Sequence, residues 1–181
     1  MLHDMVDAGR KHTVSFIFKI KKNSIMKTEQ NSVNTAGEVQ ERKSIQEHNK
    51  NLIRRAVEEM YNRGNYTHMN EMVSGDFVIH SLNPDKEIHG PDGARNFIVA
   101  LRTAFPDLKF TIKDQFAEGD KVVTHFIAEG THLGSFEGFA PTGRSFKVSS
   151  IDIDYIKNGK VSECWSNFDE LSLLQQLGAL S

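Results

Sequence analysis

The sequence predicts an α+β domain in which three helices precede an antiparallel sheet. Apolar residues recur with helical spacing from residue 44 to residue 105, and they alternate with polar residues from Leu108 onward. The pair Asn158-Gly159 is typical of a type I′ hairpin turn between two strands. Because helices come first and do not alternate with strands, the order argues against a doubly wound parallel sheet.

The three helices have recognisable ends. The first is expected to begin at Ser44-Ile45-Gln46-Glu47, which fits a capping box, and to end at Gly64. A shorter helix is predicted from Thr67 to Val73. The third begins at Gly90-Pro91, because proline is tolerated in the first turn, and Pro106 ends it.

The strands follow from alternation and turns. A short strand is predicted at Asp76–His80, before the third helix. In a later strand, Asp152 and Asp154 alternate with apolar residues, so both aspartates are expected on one wet face rather than in a glycosidase-like pair. Four longer strands and a terminal helix are predicted at Leu108–Phe116, Val122–Leu133, Phe146–Ile156, Val161–Phe168 and Leu171–Leu177.

Composition and charge restrict the class of protein. A chain of 181 residues, 38% of them hydrophobic, can bury one sizeable core. The net charge of -2 gives no basic field to gather nucleic acid or an anionic membrane, and no apolar run approaches the roughly 20 residues that cross a bilayer. The single cysteine, Cys164, cannot form an intramolecular disulfide, which suits a reducing compartment such as the cytoplasm.

The first 43 residues differ from the rest. Residues 1–28 carry six basic and two acidic side chains, and Asn23–Gly37 is polar without periodicity. We therefore expect residues 1–43 to form a disordered or weakly ordered arm, and residues 44–181 to form the domain.

A series of short motifs carries a family resemblance. The motifs are Asn49–Tyr61, Asp76–His80, His89–Gly93, Ala104–Leu108, Gly130–Gly134, Pro141–Gly143, Asn158–Lys160, Glu163–Trp165, Asp169 and Gln175–Gly178. Through them, residues 45–180 resemble the SnoaL-like polyketide cyclases, also called ester cyclases, of the nuclear transport factor 2-like superfamily. The resemblance implies a cone-shaped fold, in which a curved antiparallel sheet packs against three N-terminal helices and encloses a pocket.

The resemblance also implies an activity. Cyclases of this type use an aspartate to take a proton from a carbon next to carbonyl groups, and the enolate then closes a ring by an intramolecular aldol reaction or isomerises. We therefore expect an enzyme without cofactor or metal that acts on a small apolar carbonyl compound. A hydrolase of an ester, lactone or epoxide, and a non-catalytic ligand-binding module, remain alternatives.

The resemblance places the catalytic base at Asp169. In an extended segment Trp165 and Asp169 share one parity, so both could face a cavity whose apolar walls raise the pKa of the carboxyl group. A helix N-cap is the competing interpretation of Asp169. His132 shares a strand face with Phe126 and could donate to the enolate oxygen, or it could fix the glycine-rich loop that follows.

Further expectations concern binding and assembly. Trp165, Phe126, His80 and Arg102 are candidate substrate-binding residues, with a plain core role for Trp165 and a solvated role for Arg102 as alternatives. No two histidines have the spacing of a local metal pair, so no metal is expected. Apolar residues of both parities, as in Val122-Val123, suggest that both faces of the sheet are covered, which predicts a homodimer through the sheet, the assembly that the fold family commonly forms.

Overall fold

The computed structural model describes residues 37–80 and 86–180. Predictions for residues 1–36, which include most of the expected arm, lie outside the described residues. Residues 37–56 are helical, so the helix begins before Ser44 and the predicted capping box is wrong. The carboxylate of Glu47 instead pairs with Lys50 at 2.6 Å and with Arg54 at 2.8 Å.

Helices occupy both ends of the described chain. Helix α1 spans residues 37–56 and continues as a π-helical segment, Val57–Asn62. Gly64 follows with a φ of +64°, a left-handed conformation that confirms the predicted end of the first helix. The other helices are α2 (Met69–Met72), α3 (Gly90–Ala104) and α4 (Glu170–Leu177).

Six strands form one mixed sheet. They are β1 (Val73–His80), β2 (Ile88–His89), β3 (Lys109–Glu118), β4 (Lys121–Thr131), β5 (Ser145–Lys157) and β6 (Lys160–Phe168). Their order is β2-β1-β6-β5-β4-β3, and all neighbours are antiparallel except β1 and β6. The α+β class is confirmed, but the sheet is not purely antiparallel. Two-residue turns, Gly119-Asp120 and Asn158-Gly159, make β4 antiparallel to β3 and β6 antiparallel to β5, whereas several other elements separate β1 from β6 in the chain.

Two apolar clusters cover one face of the sheet, which we call the inner face. The first cluster joins Met60 and Ile98 of the helices to Val122 on β4. The second joins Phe105, which follows α3, to Phe146 on β5. Between the two clusters β5 carries polar residues on the same face, so the core is divided by a polar stretch.

The loop after β4 is fastened to the end of α3. The backbone N–H groups of Leu133 and Gly134 both donate to the Ala104 carbonyl oxygen at 2.9 Å. A Cβ atom at Gly134 would lie 2.2 Å from the Thr103 carbonyl oxygen. Only glycine therefore allows this approach of the two backbones.

We expect Gly134→Ala to destabilise the fold, because the new methyl group must displace backbone atoms. The expected loss is about 1–3 kcal/mol in the free energy of unfolding, measured by urea denaturation. Gly75→Ala is the matched control, since no atom lies within 4 Å of a Cβ built there. Equal midpoints for the two variants would contradict the close approach.

Candidate functional site

Four polar residues of neighbouring strands lie side by side on the inner face. Gln115 on β3 pairs in register with Thr124 on β4, Thr124 with Asp152 on β5, and Asp152 with Ser166 on β6. We call these four residues the inner polar row. Thr124 is fully buried, Asp152 is half-buried and Ser166 is exposed, so the row runs from the interior to solvent.

Asp152 lies at the centre of a small hydroxyl network. Its Oδ1 accepts hydrogen bonds from Ser166 Oγ at 2.6 Å and from Ser150 Oγ at 2.8 Å. Burial raises the pKa of the carboxyl group, and the two hydroxyl donors oppose that rise because they stabilise the charged form. Asp152 is thus a desolvated carboxylate that is still held by donors.

Asp154 is the most perturbed carboxyl group of this face. It lies two residues further along β5, 7% exposed, in register with Val122 and Cys164. Burial, and secondly the charge of Asp152, raise the pKa of Asp154 to about 8. The carboxyl group of Asp154 is therefore mainly protonated at neutral pH.

Two other buried groups near the aspartates keep their protons. Burial raises the pKa of the Cys164 thiol well above its usual range, and the nearby carboxylates add to the effect. The pKa of the Tyr61 hydroxyl is raised for the same reasons, with burial the larger cause. Cys164 is therefore a neutral packing residue, and Tyr61 is a neutral phenol at the edge of the first cluster.

The predicted wet face of β5 is wrong. Asp152 and Asp154 point to the inner face, whereas Ile151 and Ile153 are 48% and 37% exposed on the opposite face, which we call the outer face. Alternation fixes which residues share a face but does not say which face is buried. The sequence signal that could have indicated a polar inner face is Ser150, a hydroxyl residue with the same parity as the two aspartates.

Asp169 caps helix α4. Its carboxylate accepts a hydrogen bond from the Ser172 N–H at 3.1 Å, and its own N–H donates to the Ser149 carbonyl oxygen at 3.1 Å. The residue is exposed and borders an open depression that Ile151 and Leu171 also line. The capping interpretation is confirmed and the expected apolar burial is wrong; a role as base stays a prediction.

Trp165 and His80 lie together on the outer face. The indole is 45% exposed and stacks on the His80 ring, with centroids 4.2 Å apart and an angle of 21° between planes. The His80 ring nitrogens contact Glu163 at 3.0 Å and Glu87 at 3.2 Å. These contacts, Glu163 first, raise the pKa of His80. Neither aromatic side chain faces the inner polar row.

His132 fastens the loop that follows β4. It is fully buried against Phe105, and its Nδ1 lies 3.2 Å from Thr142 Oγ1. Its backbone N–H donates to the Arg144 carbonyl oxygen at 2.9 Å. Thr124 lies eight residues earlier, about 26 Å back along the chain, so His132 is far from the inner polar row.

The remaining two candidates have different surroundings. The Arg102 guanidinium donates to the carbonyl oxygens of Tyr61 at 2.7 Å and of Asn62 at 2.9 Å, and so closes the π-helical segment. Phe126 is 2% exposed on the inner face, in register with Ser150. Of the six site residues predicted from the sequence, the structure brings only Phe126 beside the inner polar row, two residues from Thr124 on the same strand face.

Two kinds of feature are absent from the described part of the chain. Within residues 37–80 and 86–180, no three His, Cys, Asp or Glu side chains are grouped as ligands for a metal ion. None of the helices in that part of the chain is both long and apolar enough to span a membrane.

The chain is similar to proteins of known structure. The pattern of the SnoaL-like polyketide cyclase family matches residues 51–177. TsrD from Streptomyces laurentii is 31% identical over 72% of this chain and 95% of its own, with a TM-score of 0.66. AclR from Streptomyces galilaeus, described as a proposed hydroxylase, is 30% identical over 75% and 83%, with a TM-score of 0.65. None of the curated proteins matches the chain.

A third solved structure shares the family name. IdmH from Streptomyces antibioticus, described as a proposed polyketide cyclase, is 28% identical and has a TM-score of 0.62. The similarity covers 72% of this chain and 98% of IdmH. The names of these relatives therefore include more than one activity on a common fold.

We expect the buried Asp154 to make the protein less stable as pH rises. The usual pKa of 3.8 applies to the unfolded chain and a pKa of about 8 to the folded one, so between these values the folded state binds more protons. The free energy of unfolding should fall through that interval by up to about 1.4 kcal/mol per pH unit and level off above it. Asp154→Asn should flatten this slope.

Urea denaturation at pH 5, 6, 7 and 8 measures the slope for each protein. Asp114→Asn, on an exposed position of β3, is the control and should keep the wild-type slope. Parallel curves for the wild type and Asp154→Asn would show that Asp154 titrates normally in the folded protein.

Proposed function

We propose that this chain, which belongs to the SnoaL-like polyketide cyclase family, is a cofactor-independent acid–base enzyme acting on a small apolar carbonyl compound. One observation supports this most: two aspartates lie side by side on the inner face, and burial raises the pKa of both. Paired carboxyl groups whose surroundings separate their pKa values are a common arrangement for an acid and a base.

The surroundings assign a role to each aspartate. Asp152 receives two hydroxyl hydrogen bonds, which favour its charged form, and partial burial makes that carboxylate a stronger base than one in water. Asp154 has no such pair of hydroxyl donors and is more deeply buried, so it holds its proton at neutral pH. We assign Asp152 as general base and Asp154 as general acid.

The reaction follows from these roles. Asp152 takes a proton from the carbon next to a carbonyl group, and the electron pair of the C–H bond moves into the enolate. The enolate carbon attacks a second carbonyl carbon of the same molecule, and Asp154 gives its proton to the oxygen that becomes a hydroxyl group. Transfer of the abstracted proton from Asp152 to Asp154 restores both groups.

The setting of the aspartates suits an apolar ligand. Phe126 lies on the inner face in register with Ser150, whose hydroxyl donates to Asp152, and its ring meets the Phe110 ring edge-on at 6.0 Å. Ser166 is exposed at the end of the row and donates to Asp152, so Asp152 lies next to the solvent-accessible part of the inner face. Apolar walls also strengthen every charge interaction at the site, because they exclude water.

We expect Asp152→Asn to lower proton abstraction by roughly 10²- to 10⁴-fold, because the amide cannot accept the proton. The measurement is deuterium incorporation into the methyl group of 2-acetylnaphthalene in D2O, followed by NMR. Asp154→Asn should abolish the decline of ring-closing turnover above about pH 8, once a cyclising substrate is in hand.

Asp169→Asn is the matched control, because asparagine also caps helices and the variant should keep the wild-type exchange rate. Loss of exchange in Asp169→Asn, with normal exchange in Asp152→Asn, would show that the base is Asp169, as the family resemblance implies. His132→Ala tests His132, the other residue for which the sequence predicts a catalytic role. No exchange above the buffer rate in the wild type would favour a non-catalytic binding module.

We also propose that the protein is a homodimer through the outer face. Phe116, Val123, Ile153 and Trp165 lie in register across four strands of that face, and Phe116 is 65% exposed. An apolar row in the middle of a sheet is self-complementary, because a two-fold axis places the same row on both partners. A second copy of the chain is therefore the occupant that fits it.

We expect Ile153→Glu to dissociate the dimer, because the two-fold axis would bring two buried carboxylates together. The expected weakening is at least about 100-fold in the dissociation constant, measured by light scattering across micromolar concentrations. Glu118→Gln, at the exposed end of β3, should leave the dimer intact. A monomeric wild type at these concentrations would refute the assembly.

A further inference from the structure

A bulge in β3 decides which residues of that strand face the interior. Before it, Ile112 pairs with Phe126, and after it Asp114 pairs with His125. The register therefore shifts by one residue between Ile112 and Asp114. As a result Gln115, rather than Asp114, points to the inner face.

Without the bulge, the alternation of side chains along β3 would turn a different residue toward the inner face. Ile112 and Asp114 have the same parity, so a regular strand would turn Asp114 inward and Gln115 outward. In the structure Asp114 is exposed, and Lys113 is the extra residue of the bulge. A bulge gives up regular pairing, and such features commonly re-aim a side chain at a functional site.

The amide group of Gln115 is only half satisfied. Its Nε2 donates to Thr124 Oγ1 at 3.2 Å, and Thr124 is fully buried. Its Oε1 is buried and has no hydrogen-bond partner among the described residues. A buried acceptor without a donor is costly, and natural proteins rarely keep one without a reason.

The position of this acceptor relates it to the aspartates. Gln115 and Asp152 stand at two positions of the inner polar row, with the strand of Thr124 between them. Two strand spacings separate their backbones by about 10 Å. A flat molecule that reached both groups would span this distance, with Asp152 near one end and the Gln115 Oε1 near the other.

We propose that Gln115 is a specificity-determining residue whose Oε1 accepts a hydrogen bond from a hydroxyl group of the substrate. The proposal rests on the function proposed above and narrows its substrate to flat carbonyl compounds with a hydroxyl group at the end remote from the reacting carbon. Thr124 holds the amide in the orientation that presents the oxygen. A site built in this way rejects an analogue that lacks the hydroxyl, because its acceptor then stays unpaired.

Three naphthalene probes test the proposal by calorimetric titration. They are 6-hydroxy-2-acetylnaphthalene, its 6-methoxy analogue and 2-acetylnaphthalene. The wild type should bind the hydroxy compound roughly 10- to 100-fold more tightly than either of the others, and Gln115→Leu should bind all three alike. Thr124→Val should reduce the preference, because the amide loses its anchor.

Asp114→Asn, exposed beside the bulge, is the control and should keep the full preference. The double variant Gln115→Leu/Thr124→Val safeguards against misfolding, because removing both polar partners together leaves neither unpaired. It should unfold at or above the wild-type urea midpoint and show no preference. Asp152→Asn should retain the preference while losing deuterium exchange, which separates this inference from the proposed reaction.

A wild type that binds the methoxy and hydroxy probes equally, or binds none of the three, would overturn the assignment. So would a Gln115→Leu variant that is folded and still prefers the hydroxy compound. A preference that survives in the absence of any exchange would support the acceptor role of Gln115 and would count against the proposed reaction alone.

Discussion

The central physical problem of this structure is the placement of two carboxyl groups of β5 among apolar side chains. Asp152 and Asp154 stand between two apolar clusters, where a charge is poorly solvated and has to be matched by donors or neutralised. Both solutions occur side by side: hydroxyl groups from β5 and β6 hold Asp152, and Asp154 keeps a proton. The difference between the two sites comes entirely from what each carboxyl group touches.

Helices cover the part of the sheet that carries the two aspartates. The last turns of the first helix and the middle of α3 supply apolar side chains that exclude water from the inner face. The Arg102 guanidinium ties α3 to the carbonyl oxygens at the end of the π-helical segment, which keeps the two helices in place over the strands. The burial of these carboxyl groups thus depends also on contacts, such as those of Arg102, that lie away from them.

Much of the fold was predictable from the sequence, because periodicity, Gly-containing turns and proline positions are local signals. Strand β5 was expected at 146–156 and is found at Ser145–Lys157, and α3 begins and ends where Pro91 and Pro106 indicate. The site was less predictable. Which parity of β5 is buried depends on what covers each face, and the inward turn of Gln115 depends on a bulge with no sequence signal as clear as Asn158-Gly159. Motif matching led instead to Asp169, where a capping role already accounts for the carboxylate.

The parallel pairing of β1 with β6 has a consequence for synthesis of the chain. Strand β1 pairs on one side with β6, Lys160–Phe168, and β2, α3, β3, β4 and β5 separate the two strands in the chain. On the ribosome this edge of β1 therefore stays unpaired until β6 has been translated. Contacts of such long sequence separation slow folding and leave aggregation-prone intermediates exposed. We therefore expect this protein to need either rapid folding once β6 has been made or protection by a chaperone.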